Sequence, residues 1–429
     1  MNNPPTAPGR QPVIGHTLHV LRSPLTSLQQ WGQTDESLVR VRIANQQLSL
    51  ITSPDAVREV LTAESDRYKK ADIVRDRLGT LQGNSLVLLE GEKWSERRKL
   101  LQEGFGSRGL TDAGSLMTTY AREVVDGWTS GTSVPVVDAA RSLVLAVLAK
   151  ALFGLDLRGE QTPIHEAAGD ILSRLDVRSV SLYLPEWVPT PTNIRFRRAV
   201  STLHDRLDTI VEQQNEPPAE SLLGLMRASG LAAEEIRDEL IALLFAGYDS
   251  TATALACTLG LLGNHRDVQS ALGNELDAVV DDRPPTPSEL PELPLLDAII
   301  KESLRLYPPQ YLIFREPTTE TTVGGYQVPA GATIVVPPWI LHRDPTVWEK
   351  PSTFRPERWL GSTPDRPEYA YIPYGGGPRY CLGATMADRV LKLTVAVICQ
   401  QTEFHSPTPV SVTAGPTLSV DETLKLQIK

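Results

Sequence analysis

Residues 374–383 read YGGGPRYCLG, a glycine-rich loop that delivers Cys381 to the start of an amphipathic helix at 383–400. Three consecutive glycines remove side chains and let the backbone come close to something flat or bulky. Backbone amides and the helix N-terminus favour a thiolate over a thiol at Cys381. A phosphate cradle is the rival reading. It fails on spacing, because Tyr380 stands where the last glycine of GxGxxG belongs and no Lys-Ser or Lys-Thr pair follows. Taken alone, the loop is also compatible with a buried cysteine in a glycine turn.

Working outward, KESLRLYPP at 301–309 puts Glu302 and Arg305 three apart on one helix face, where carboxylate and guanidinium can pair. An isolated pair of this kind is usually a solvated surface bridge of little worth. GEKWSERRKLL at 91–101 puts Trp94 and Arg98 four apart, again on one face, which by itself describes an apolar Trp beside a basic stripe. A long helix predicted over 232–263 carries Ala246, Gly247, Tyr248, Asp249, Ser250 and Thr251 at its middle. A glycine, an acid and hydroxyls inside an apolar helix predict a local break in the hydrogen-bond ladder, with room for a ligand and water. A buried, unpaired Asp costs on the order of several kcal/mol, which leaves either a functional role or a capped kink with Asp249 bridged to a neighbouring lobe.

Together these elements resemble the cytochrome P450 haem-thiolate monooxygenases, over nearly the whole chain. The cysteine motif usually opens with Phe and opens here with Tyr374, while the glycines, Arg379, Cys381 and Gly383 stand where that family has them. The resemblance implies that Cys381 is the axial thiolate ligand to the iron of one noncovalent haem b; covalent attachment would need CxxCH, which is absent. A thiolate pushes electron density onto iron and favours cleavage of a bound O–O bond. Arg98, Arg315 and Arg379 become the implied partners of the haem propionates, because guanidinium matches carboxylate bidentately, with Trp94 beside them. Arg358, from FRPERW at 354–359, joins Glu302 and Arg305 in an implied buried network that braces the cysteine loop. Ala246 and Gly247 would lie against the haem. Asp249 with Ser250, or with the adjacent Thr251, would deliver protons to dioxygen; the family's alcohol is usually threonine, and Ser250 occupies that position. Pocket candidates by family position are Val87, the stretch 184–191, Ala246, Leu312 and Ile313, all but the stretch apolar or small single residues.

The implied fold is mainly α with a small β-rich lobe, the cytochrome P450 fold, as a single domain over residues 1–429. The implied reaction is oxidation, most simply hydroxylation, of a small and largely apolar molecule by dioxygen and two electrons. The chain has no flavin or iron–sulfur segment, so a separate ferredoxin or flavodoxin with its reductase is expected, docking on a basic patch of Lys93, Arg97, Lys99 and Arg108. Oxidative ring closure or bond coupling, peroxide-driven oxidation, and a non-enzymatic haem carrier or gas sensor remain as alternatives.

Composition agrees with a large soluble core: 41% of the 429 residues are hydrophobic and 22% charged, which excludes collagen, coiled coil and wholesale disorder. A charge of 42 − 52 = −10 argues against nucleic acid or an anionic membrane as nonspecific partners. Cys257, Cys381 and Cys399 form no CxxC pair, and the start has no basic-then-apolar run, so a cytoplasmic monomer is expected. The stretch 240–263 has Asp249 as its only charge and is long enough for a membrane span, but the polar groups at its middle favour a buried central helix. LVRVRI at 38–43 and LSLIT at 48–52, about the turn Ala-Asn-Gln-Gln, predict a hairpin, followed by a helix capped by Ser53 with Pro54 first. Apolar spacing predicts further helices at 92–103, 116–128, 139–152, 164–174, 195–212, 267–280 and 293–307, and short strands within 314–338. There is no GxSxG and no HExxH, and the seven histidines show no ligand spacing; His342 reads as structural.

Overall fold

The computed structural model describes residues 3–429 apart from 107, 157–160, 177, 214–220 and 362–364. Its axis is the helix Ala233–Asn264, 32 residues or about 48 Å long. Among the described residues this is the one helix long and apolar enough to cross a membrane, and most of it is buried in protein. It packs Leu240, Leu244, Tyr248, Ala252 and Leu255 into a core shared with Val144, Leu145, Val147 and Leu148 of the helix Val136–Phe153. Gly247 permits that crossing, because a Cβ there would stand 2.9 Å from Leu148 Cδ1. Its hydrogen therefore faces a neighbouring helix, where the sequence suggested room for a ligand.

The expected break in this spine does not occur: helical hydrogen bonding runs through 246–251. Two local partners explain it. Ser250 Oγ donates to the Ala246 carbonyl one turn back at 2.6 Å, alongside the ladder instead of replacing a rung. Asp249 is buried and accepts a short hydrogen bond from Thr417 Oγ1, so its cost is met by a hydroxyl of the C-terminal segment. Neither the kink nor a salt bridge is needed.

Helix predictions land within a few residues: Gly91–Gly106, Val136–Phe153, Pro191–Gln213, Arg266–Val280, Pro294–Leu306 and Ala384–Gln401 are all present. Thr17–Arg22, Pro24–Trp31, Asp72–Gln82 and Leu222–Ala228 are additional, too short or too polar to show an apolar period. The hairpin is Leu38–Ile43 against Gln46–Ile51, tighter than predicted, with Ile43 opposite Gln46 and Ala44 at φ +52° making a two-residue turn. Gln46–Ile51 runs parallel to Thr333–Val336, which pairs antiparallel with Ile313–Pro317, and Tyr68–Lys69 completes the five-stranded sheet. Ser53 caps the next helix through its hydroxyl on the Ala56 amide, as the sequence indicates.

Glu302 and Arg305 have no accessible side-chain surface, so the surface-bridge reading is wrong for this pair. Glu302 Oε2 takes Arg305 Nε and Trp359 Nε1, each at 2.9 Å; Oε1 takes Arg305 Nη2 at 2.8 Å, Arg358 Nε at 2.9 Å and the Arg355 amide at 3.0 Å. Arg305 Nη1 continues to the carbonyls of His342 and Pro351. His342 Nε2 accepts the Ile372 amide at 2.8 Å, and the Ile372 carbonyl accepts the Gly375 amide, which brings the chain of bonds to the cysteine loop. Arg366 stacks over Trp348 and Trp359, centroid distances 4.5 and 4.9 Å, and screens the network from solvent.

Removing Glu302 would leave buried guanidinium charge uncompensated, at about 3 to 5 kcal/mol. Glu302→Ala is therefore expected to give little soluble protein; recovery of a stable variant altered only in turnover would show that the network is not what holds the fold. Burial, and then the charges of Arg343 and Arg305, hold the His342 imidazole down to about 3. The unfolded chain takes up this proton as pH falls through the usual 6.5 while the folded chain refuses it, so the group's stability is complete above that pH and is lost on acidification. The stability gap between wild type and His342→Gln should shrink by about 1.4 kcal/mol per pH unit below it, measured by denaturant unfolding of both proteins.

Candidate active site

The cysteine loop is a tight double reversal. Gly375 and Gly377 adopt φ +74° and +67°, the Tyr380 amide bonds the Gly377 carbonyl, and the Cys381 amide bonds the Tyr374 carbonyl at 3.0 Å. A Cβ on Gly377 would stand 1.7 Å from the carbonyl oxygen of Leu61, so this glycine is required by the chain's own backbone at the short helical turn Glu59–Ala63. The close approach read from the sequence is real, and here its object is protein. Gly383 caps the helix Ala384–Gln401 immediately after Cys381.

Cys381 is exposed, while Cys257 is buried and Cys399 partly so. Protein nevertheless surrounds Cys381 deeply enough that burial raises its thiol above the usual range, against the Gly383 amide and the Arg98 guanidinium, which both lower it. An accessible sulfur inside a deep recess is the geometry of a ligand-facing thiol. The protein alone does not make it a thiolate, contrary to the sequence argument, because desolvation outweighs the amide and the cation. Burial drives the Cys257 thiol up strongly and the Cys399 thiol up to about 12.

Arg98 Nη2 donates to the Tyr380 carbonyl at 2.8 Å, tying the helix Gly91–Gly106 to the loop. Trp94 lies between two guanidinium groups, Arg98 at 5.7 Å and Arg379 at 4.9 Å from its ring centroid. Tyr374 packs edge-on to Tyr380, and its buried hydroxyl has no partner among the described residues. On the spine helix Ala246 is exposed, and Phe245, Gly247 and Ser250 are half-buried; Thr251 is turned into the core. Ser250 and Thr251 thus leave the helix on different sides.

A family profile described as Cytochrome P450 matches residues 4–421. The chain belongs to the cytochrome P450 family. It is 32% identical over 92% of its length to cyclooctat-9-en-7-ol 5-monooxygenase of Streptomyces melanosporofaciens, covering 88% of that protein. Pentalenene oxygenase of Streptomyces avermitilis is 30% identical over 92% of this chain and 90% of its own. The solved structure of retinoic acid-bound cyanobacterial CYP120A1 superposes with a TM-score of 0.87 at 25% identity, covering 100% of this chain and 99% of that one. The mainly helical P450 fold is thereby shown, and with it a haem-thiolate monooxygenase that oxidises an apolar molecule with dioxygen and two electrons.

The donor set of this P450 suits a haem. Arg315 is buried, donates to the Phe314 carbonyl, and has no carboxylate within ion-pair distance among the described residues. Burial, then Arg379, pulls its guanidinium down to about 10, and burial, then Arg379, pulls the Lys70 ammonium down to about 7. Arg379, Arg315 and Lys70 face Glu90, Lys70 faces Glu239 as well, and Arg98 lies by Cys381 and Arg379, an excess of positive charge that two propionates would offset. Arg379, expected to face a propionate, instead forks onto Glu90 with one bond at 3.0 Å and a second shorter one. Glu90 and Lys70 escaped the sequence reading; Glu90 borders the Trp94 motif, whereas nothing in the spacing marks Lys70.

An apolar cavity of about 380 Å³ is lined by Val87 and Phe314, sequence neighbours of Glu90 and Arg315, and by none of Cys381, Arg98 or Arg379. Its walls include Leu28, Leu48, Leu78, Val87, Leu182 and Leu312. Val87 and Leu312 are thus placed as expected. Ile313 and Ala246 are not in this wall, and Leu175 with Leu182 takes the place expected for 184–191. Ile313 lies instead beside the cysteine loop, its Cδ1 3.6 Å from where a Gly375 Cβ would be. Arg97 is not a surface cation: it is buried and paired with Glu239 at 2.6 Å and Glu235 at 2.7 Å. Lys93 and Lys99 are exposed as expected, and the Arg108 side chain lies outside the described residues.

Proposed function

We propose that Cys381 is the axial ligand of a noncovalent haem b, that Arg98, Arg315 and Arg379 with Trp94 hold its propionate edge, and that the apolar cavity receives the substrate. The observation that carries this is the most exposed of the three thiols, set deep in the protein with the Arg98 guanidinium beside it. When bound, the haem supplies activation of dioxygen: with two electrons and two protons, one oxygen atom enters a C–H bond and the other leaves as water.

The chain's own residues have three tasks. Arg98 lowers the cost of charge on the Cys381 sulfur and anchors its loop by the Tyr380 carbonyl. Asp249, whose carboxyl is raised by burial and eased by Thr417, can hold a proton, and Ser250 can pass one by swinging its hydroxyl from the Ala246 carbonyl. A serine does this more freely than threonine, since it lacks the second branch that fixes χ1. Buried Thr251 suits helix packing better than the relay. Walls of Val, Leu, Ile and Trp exclude water and orient a substrate by shape. A cyclic hydrocarbon skeleton with at most one hydroxyl fits them, the chemistry printed in the names of the two Streptomyces relatives.

Electrons come from a separate ferredoxin or flavodoxin and its reductase, docking where Trp94, Ser95, Arg98, Lys99, Gln102 and Pro378 line an open groove on the cysteine-loop side. Residues 1–429 act as one domain, a cytoplasmic monomer in this reading, and the long apolar helix Ala233–Asn264 serves as its core.

Reduced protein with carbon monoxide should show the long-wavelength band of a thiolate ligand, lost in Cys381→Ser and kept in Cys257→Ser and Cys399→Ser. The reverse pattern overturns the assignment. For the relay, Asp249→Asn should slow product formation, and Ser250→Ala should divert electrons to hydrogen peroxide at normal haem content, within the 100- to 10,000-fold (about) range of general acid catalysis. Product per NAD(P)H consumed measures both; loss only in Thr251→Ala would move the role by one residue.

A further inference from the structure

Val87 enters the cavity wall from a loop held by its own turn bonds, the Ser85 amide on the Gln82 carbonyl and the Leu88 and Leu89 amides on the Ser85 carbonyl, and by charged side chains on its backbone. Asp238 Oδ2 accepts the Asn84 amide at 2.8 Å, and Glu239 Oε1 accepts the Leu86 amide at 2.7 Å. Lys70 Nζ donates to the carbonyls of Leu86 and Leu89 at 2.7 and 3.1 Å, and Arg75 donates to the Leu88 carbonyl at 2.7 Å. Gly83, at φ +48°, is pressed so close that a Cβ would stand 2.0 Å from Asp238 Oδ2. These bonds bracket Val87 on both sides while its own side chain faces apolar neighbours.

The arrangement is a costly way to hold a loop. Glu239 has no accessible surface, and its Oε2 finds no partner among the described residues, so part of its desolvation goes uncompensated. Burial raises its carboxyl to about 7 despite Arg97. The groups facing it are Arg97 from the helix Gly91–Gly106, Lys70 ahead of the helix Asp72–Gln82, and Asp238 on its own helix. A hydrophobic residue here would pack without that penalty but could not grip an amide. We propose that Asp238 and Glu239 are positioning residues for substrate selection: by gripping the amides of Asn84 and Leu86 they fix Val87 as a wall of the cavity, and so decide which substrate shapes fit.

This rests on the haem and cavity assignment above, and two measurements separate the claims. Deuterium uptake over 83–88 should rise in Asp238→Ala and Glu239→Leu, which cannot accept the two amides, a readout that needs no haem; unchanged uptake overturns the proposal. With the haem-loaded protein, binding of imidazole and of 4-phenylimidazole is followed by haem absorbance. The variants should bind 4-phenylimidazole about tenfold more weakly, or 1.4 kcal/mol, with imidazole affinity unchanged. Equal loss of both azoles would mean a general structural role and would overturn it. Val87→Ala should alter 4-phenylimidazole affinity less in the Glu239→Leu background than in wild type, since the two act through one loop; additive effects would also overturn it.

Discussion

The carboxylate of Glu302, without accessible surface, collects five donors from four residues, and the position of the cysteine depends on it. Such a charge costs several kcal/mol to bury unless every lone pair is met. Here a helix, the 3₁₀ turn Pro356–Trp359 and a loop amide converge to meet it. The hydrogen bonds of guanidinium, indole and amide to the carboxylate are directional, and so they constrain how the pieces converge. Arg305 then passes that order through the His342 carbonyl, and the neutral His342 ring passes it to Ile372, so a buried pair more than seventy residues away in sequence sets where the Cys381 loop begins.

A second constraint is electrostatic and unresolved within the protein. Burial first, and then the neighbouring charge of Arg379, depresses both Arg315 and Lys70, against the pull of Glu90. Folding tolerates such an excess when an anionic group restores the balance. The Cys381 thiol shows the same logic with opposite sign: the chain raises it, and a coordinated metal would remove its proton outright. The propionates and the iron of the haem proposed above would relieve both together.

Much of this was legible in the sequence because it is local. Helices with a clear apolar period, the Glu302–Arg305 spacing, the Trp94–Arg98 spacing and the loop before Cys381 are all encoded within a few residues. What escaped is long-range. Glu90 meets Arg379 and Arg97 meets Glu239 across 289 and 142 positions, and no spacing rule reports such pairs. The same blindness produced the kink predicted at 246–251: from sequence Asp249 looked orphaned, and its partner, Thr417, lies 168 residues on. Gly247 misled for a related reason, since a glycine that admits Leu148 reads like one that admits a ligand.

The two halves of the site hang from different supports. The cysteine loop is braced from the helix Pro294–Leu306 through Glu302, whereas the Val87 loop is gripped from the spine helix through Asp238 and Glu239. They meet along one helix, where Arg97 faces Glu239 and its neighbour Arg98 reaches the Tyr380 carbonyl, and again where Glu90 closes the loop onto Arg379. Residues side by side on a helix point roughly 100° apart, so Arg97 and Arg98 serve opposite walls from one backbone. Wall shape can then vary by changing what the loop at 83–88 carries, while the sulfur keeps its place. A fold that oxidises many apolar shapes by one chemistry needs that separation, and in this chain it is made of charged side chains gripping a backbone.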